Sequence, residues 1–232
     1  VGFAAAVPLL VSNEPGEQKA PGSGRALVAV NVALLASTLV LVHVMARTSF
    51  WSPYYKITVG RDGPDTVVEV NNIFHQSMAP VEQKEYFYQW PYMAFGDTFE
   101  NVLVLGAGSG TDVASALKHG AKHVDAVEID PVIVRLGRQY HPDHPYSDPR
   151  VTVLEKTDLR EFEPAAHPAA DFVVADVSFN SLARLAPAFQ RAAPRASFLL
   201  LVKPQFELAR AEVPDGGVVL DDALRDEAVE RV

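Results

Sequence analysis

At 232 residues with 48% hydrophobic content, the chain carries enough apolar material for one full α/β core plus a small accessory element. A formal net charge of −9 argues against a dominant phosphate-binding surface, because nucleic-acid binders usually carry a basic face. Cysteine is absent, which excludes disulfides, thiolate zinc sites, iron–sulfur clusters and cysteine nucleophiles.

The chain opens on Val1 and not on methionine, and reads as either a natural fusion or a piece of a longer protein. Residues 2–11 are apolar and short, as the end of a membrane helix would be, and residues 12–24 (SNEPGEQKAPGSG) form a polar Pro/Gly-rich linker. Residues 26–46 are apolar except for Asn31, Ser37, Thr38 and His43, and are bracketed by Arg25 and Arg47. A run of about 21 residues suits a bilayer span, which would make the protein membrane-associated with the domain that comes after it in the cytoplasm. The alternative is a buried helix of a cytoplasmic protein. A cleavable signal is excluded, since a polar linker precedes the run and no small-residue cleavage site comes after it. Basic residues at both ends leave the orientation open.

A β-hairpin is expected next, with residues 54–59 and 66–73 as strands around the turn cluster 60–65 (GRDGPD). Residues 71–76 (NNIFHQ) would end it, where His75 and Gln76 either face a ligand or simply cap a strand end. Residues 81–95, rich in aromatics, read as a helix leading into the core.

Residues 101–131 (NVLVLGAGSGTDVASALKHGAKHVDAVEIDP) organise the rest. The apolar run 102–105 breaks into three alternating glycines, Gly106, Gly108 and Gly110; a helix spans 111–119, and a second apolar run, 123–127, ends on Glu128. Glycines permit positive φ and let a ligand approach the backbone with no Cβ in the way. A carboxylate about 20 residues further on accepts hydrogen bonds from two ribose hydroxyls. The unit reads as a nucleoside site, against the plainer alternative of a tight βα turn. Asp130-Pro131 supports it, as an N-cap followed by proline at the first helical position. The spacing G-x-G-x-G resembles the S-adenosylmethionine (AdoMet) fold and not a dinucleotide fingerprint.

WSPYYKITV, NNIFHQSM, VLVLGAGSGTDVASAL, HVDAVEIDP and HPDHPYSDPRV resemble the membrane-associated branch of the spermidine synthase (polyamine aminopropyltransferase) family, over residues 51–153. The resemblance implies that Gly106, Gly108 and Glu128 hold the nucleoside of decarboxylated AdoMet and that Gln76 contacts the same cofactor. Soluble family members carry an amine-binding aspartate in the glycine loop, where this chain has Ser109. Val104 also leans this way, since many AdoMet methyltransferases have an acidic residue at that place.

The remaining sequence points elsewhere. A third strand, 151–154, precedes Asp158, placed where both families approach the adenine amine. Strand 171–175 ends on Asp176 and strand 196–202 on Lys203, before a helix from 223 onward. DVSF-SL, LVKPQFE and GGVV-D-AL-EAVERV resemble TlyA-type (hemolysin A-like) ribosomal RNA 2′-O-methyltransferases, relatives of FtsJ-type enzymes, over residues 154–232. That resemblance implies a Lys-Asp-Lys-Glu active site containing Asp176 and Lys203. No good counterpart of the first lysine stands out, Lys84 being a poor candidate, and the final glutamate would lie beyond Val232. A lysine held by a carboxylate at neighbouring strand ends can ease deprotonation of a ribose hydroxyl. The plainer readings are a helix N-cap for Asp176 and a solvated strand end for Lys203.

The expected fold is α/β, a doubly wound parallel sheet of the class I AdoMet methyltransferase type with strand order 3-2-1-4-5, ending after the fifth core strand. The expected domains are 1–47 (apolar segment, linker and membrane helix), 48–98 (hairpin and lead-in helix) and 99–232 (catalytic domain, with a family seam near 154). Gly110 completes the expected cofactor loop. No histidine pair has metal-ligand spacing: His141 and His144 flank a Pro-rich loop, and His119 and His123 straddle Gly120, so no metal is expected. The leading function is methyl transfer from AdoMet to an RNA hydroxyl. The alternatives are aminopropyl transfer from decarboxylated AdoMet to a polyamine, and a membrane-tethered nucleoside-binding module without catalysis.

Overall fold

The computed structural model describes residues 23–46, 49–96 and 99–232. The chain divides into two units, Val1–Thr48 and Ser49–Val232. In the first, α1 (Ser23–Ala46) is a single 24-residue helix, so Ser23 and Gly24 belong to the helix and not to the expected linker. Its apolar residues from Leu27 to Val44 are exposed along its length, long and apolar enough to cross a membrane by length and composition. The expected apolar segment 2–11 and linker residues 12–22 lie outside the described residues.

The second unit opens with an antiparallel sheet in the order β1-β2-β3-β4: β1 (Ser49–Trp51), β2 (Lys56–Asp62), β3 (Asp65–Val70) and β4 (Ile73–Met78). The expected hairpin is therefore half of a four-stranded meander. Residues 71–76 do not end it. Asn71 and Asn72 adopt φ of 52° and 65°, the two left-handed residues of a tight hairpin turn, and the chain returns as β4. Ile57, Val68, Val70 and Met78 bury one face of this sheet against Ile133 and Leu136. The expected helix 81–95 is also corrected. Its residues form 3₁₀ turns at Val81–Gln83 and Tyr86–Tyr88, then a short α2 (Trp90–Phe95). The break lies at Lys84 and Glu85, whose ψ of 159° and 142° are extended, and Pro91 suits the first turn of α2.

The core is a five-stranded parallel sheet in the order β7-β6-β5-β8-β9, the expected 3-2-1-4-5 arrangement. Its strands are β5 (Asn101–Leu105), β6 (His123–Glu128), β7 (Val151–Glu155), β8 (Phe172–Ala175) and β9 (Ser197–Leu200). β5, β6 and β8 are near-continuous apolar runs because helices cover both faces. Val102, Val104, Val124, Phe172 and Val174 pack with Val113 and Ala116 of α3 (Thr111–Lys118) and Val134 of α4 (Pro131–Tyr140). On the opposite face Leu103, Leu105, Val127, Val173 and Ala175 pack under α5 (Leu182–Ala192). Short helices α6 (Pro204–Glu207) and α7 (Asp222–Glu230) close the described chain. Strand order reverses between β5 and β8, and ligands of such sheets bind outside the strand ends at that switch point.

Candidate active site

A cavity of about 810 Å³ opens at that place. Its floor is the glycine loop between β5 and α3. Gly106 has φ of 73°, and a Cβ there would stand 2.2 Å from the backbone oxygen of Asp176, so only glycine lets the loop pass that close to β8. A Cβ on Gly108 would meet Oε1 of Gln76 at 2.9 Å. Gly110 differs. It does not line the cavity, and its missing Cβ makes room for Pro145 at 2.6 Å.

Glu128 lines the cavity and is tied to the loop: the backbone N–H of Gly108 donates to Oε2 and that of Asp130 to Oε1, both at 2.8 Å. Burial raises its pKa, and those two hydrogen bonds oppose the rise. Each carboxylate oxygen keeps a second lone pair, which is what a ribose diol needs. Gln76 reaches across from β4, where its Oε1 accepts from the N–H of Ser109 at 2.9 Å and from its hydroxyl at 2.6 Å. Asp158 also lines the cavity. It caps the turn Leu159–Glu161, and Arg160 holds it by a two-pronged pair, Nε to Oδ1 at 2.9 Å and Nη2 to Oδ2 at 2.5 Å, which lowers its pKa. An adenine amine there would share the carboxylate with Arg160.

Asp176 directly succeeds β8, and Lys203 comes three residues after β9 ends; Ala175 and Leu200 are in register, which brings the two strand ends side by side. Lys203 Nζ lies 2.5 Å from Oδ1 of Asp176, at an angle too oblique for a hydrogen bond, and donates to Ser178 Oγ at 2.7 Å. Asp176 and Ser178 line the cavity, while Lys203 stands behind them.

Four cavity residues escaped sequence reasoning or were set aside there. Tyr55 comes from the turn before β2, and burial, then Glu128, pushes its hydroxyl pKa to about 12. Lys84 lies in the wall with its side chain 6% exposed, where Nζ donates to Ser77 Oγ at 3.0 Å and sits 5.2 Å above the Tyr88 ring. Asp112, in the first turn of α3, is pushed up to about 7 by burial and then by the Asp176 charge. Phe179 holds a left-handed φ of 64° at the mouth, its ring 5.6 Å from Tyr55. Beneath the loop, buried Tyr146 donates to the carbonyl of Gly108 at 2.7 Å and contacts that of Ala107 at 3.1 Å, which fixes the loop from below. Only the left-handed Phe179 lacks any sequence signal. Tyr55 and Lys84 are polar residues of turns, and Asp112 sits in the first turn of the expected helix, where an acidic residue is ordinary.

A glycine cradle with no room for a Cβ, a buried carboxylate at the second strand end and a nucleoside-sized cavity fit AdoMet or its decarboxylated form. Sheet order and site together define a class I AdoMet-dependent transferase. The chain belongs to the FtsJ-like methyltransferase family, whose model matches residues 87–232. It is 40% identical over 129 residues to the 16S/23S rRNA (cytidine-2′-O)-methyltransferase TlyA of Mycobacterium tuberculosis, an alignment covering 55% of this chain and 46% of that protein. It is also 30% identical over 160 residues to polyamine aminopropyltransferase 1 of Streptomyces coelicolor, covering 58% of this chain and 30% of the relative. The chain thus spans less than half of either protein. Among solved structures, spermidine synthase from Thermotoga maritima superposes with a TM-score of 0.50 at 18% identity, covering 67% of this chain and 57% of that one, which speaks to fold alone.

Proposed function

We propose that this protein transfers a methyl group from AdoMet to a ribose 2′-hydroxyl of RNA. The observation that carries this reading is the Asp176–Lys203 pair at the ends of β8 and β9, beside the cavity. When bound, AdoMet supplies an electrophilic methyl group on a sulfonium. The protein's part is to hold the nucleoside, through Glu128 at the ribose and Gln76 and the glycine backbone around the loop, and to ready the acceptor. A ribose hydroxyl is a weak nucleophile until its proton is drawn off. Lys203, oriented by Asp176 and Ser178 just behind the cavity wall, supplies positive charge against developing alkoxide, and Asp176, which lines the cavity, is the carboxylate assigned to receive the proton. Lys84, paired with Glu85 at 3.3 Å, is a second lysine and lines the cavity, which supports it as a candidate for the first lysine of a Lys-Asp-Lys-Glu set. The relative named TlyA supports the acceptor class. An RNA substrate must approach through these local cations, because the net charge of −9 gives no general attraction.

A second reading, aminopropyl transfer to a polyamine, is favoured by one arrangement: Asp112 and Asp176 put two carboxylates into one cavity, a setting for an ammonium group. Lys203→Ala separates the two. In RNA methylation its loss removes the cation and lowers the rate roughly 100-fold or more. In aminopropyl transfer a nearby cation repels the protonated amine, so the variant is neutral or faster. Labelled AdoMet with ribosomal RNA, and decarboxylated AdoMet with putrescine, are offered to both proteins. RNA methylation undiminished in the variant refutes the role given to Lys203, and turnover with putrescine alone favours the second reading.

A further inference from the structure

At the opposite end of β6 from Glu128, the fold gathers three metal-ligating side chains that the proposed reaction does not use. His123 and Asp125 alternate along β6 and so project from the same sheet face. His167 arrives from the connection between β7 and β8, 42 residues beyond Asp125 in sequence. Oδ1 of Asp125 lies 3.0 Å from Nε2 of His123 and 2.8 Å from Nδ1 of His167, and the three candidate ligand atoms all fall within 4.8 Å of one another. The carboxylate is buried, with its side chain 6% exposed, whereas the two rings are 24% and 15% exposed. The cluster therefore has a buried anionic base and one side open to solvent.

We propose that His123, Asp125 and His167 bind a divalent transition metal, zinc by preference, with water in the fourth position. Two imidazoles and one carboxylate are a ligand set zinc accepts, at about 2.0–2.2 Å from each atom. Tetrahedral bonds of that length separate neighbouring ligand atoms by roughly 3.3 Å. The two carboxylate–imidazole gaps are a few tenths of an ångström shorter than that, and the imidazole–imidazole gap, at most 4.8 Å, closes by rotation of side chains that keep solvent exposure. In the metal-free protein each ring offers an N–H to Asp125. On binding, each neutral ring moves that proton to its other nitrogen and presents a lone pair, so no net proton transfer is required.

The consequence is a clamp. His167 stacks on Phe162, ring centroids 5.1 Å apart, and Phe162 is buried in the core under α5. Near its start the same connection carries Thr157, Asp158, Leu159 and Arg160, which line the cavity. A metal would thus tie the far end of this connection to β6 and restrain the segment that carries Asp158.

The test uses untagged protein stripped with EDTA, desalted, and titrated with zinc sulfate alone. The expected result is one zinc retained per chain, a Tm higher by roughly 5 °C than in EDTA, and loss of both in His167→Ala. Cobalt substitution should give the intense visible bands of a four-coordinate site, lost in the same variant. Asp125→Asn is the stronger test of the ligand set, and His167→Ala keeps the proposal testable if the buried substitution does not fold. Failure of wild type to retain stoichiometric zinc, or equal retention by His167→Ala, overturns it.

Discussion

Asp112 shows how a single side chain records the character of the cavity. Its carboxyl pKa is raised from 3.8 to about 7, first by burial and then by Asp176. Between those two values the folded protein holds a proton that the unfolded chain has released, so this residue makes stability fall as pH rises from about 4 to about 7, and adds no further pH dependence above that. Asp112→Asn removes this pH dependence. Urea midpoints of variant and wild type should therefore diverge in the variant's favour across that window and stay parallel at higher pH. Because Asp112 keeps some solvent contact through the cavity, the sign and window are the prediction; parallel curves throughout would remove Asp112 from the buried wall.

Among the elements, α4 determines where the glycine loop can lie. Gly137 sits on its inner face, and a Cβ there would stand 2.4 Å from the backbone oxygen of Ser109. Helix and loop touch backbone to backbone, with Tyr146 pinning the same loop from below. Gly137→Ala should push the loop toward the cavity at a cost of about 1–3 kcal/mol in stability. It should also weaken AdoMet binding, although residue 137 lines no part of the cavity. Calorimetry on folded Gly137→Ala is the check, and an unchanged Kd would mean that the loop is set by its own turns and not by α4.

For the whole molecule, the division after Thr48 has a practical consequence. A helix of 24 residues is about 36 Å long at the usual rise, enough for a bilayer core, and no described residue from Leu27 to Val44 is buried. The full chain should stay with membranes through carbonate and high-salt washes. A protein starting at Ser49 should be released as a soluble domain, because its hydrophobic clusters draw only on residues after Thr48. Full-length protein that is monodisperse without detergent would overturn the membrane reading.

The core sheet, its strand order and the ends carrying Glu128, Asp176 and Lys203 were legible in the sequence. Parallel strands buried on both faces are uninterrupted apolar runs, and the polar residue that terminates each run is thereby placed at one edge of the sheet. The glycine loop was legible because only glycine satisfies its positive φ and its approach to β8. Segments whose form depends on long-range partners were not. Residues 81–95, rich in aromatics, fold as two 3₁₀ turns and one short helix and not as one continuous helix, and Asn71-Asn72 makes a hairpin that sequence alone read as a strand end. Lys84 and Asp112 became cavity residues only once β4 and its succeeding turns were laid across the strand ends. The His123–Asp125–His167 cluster needed the same step, since only the return of the β7–β8 connection brings His167, 42 residues beyond Asp125, onto the carboxylate oxygen that His123 already meets.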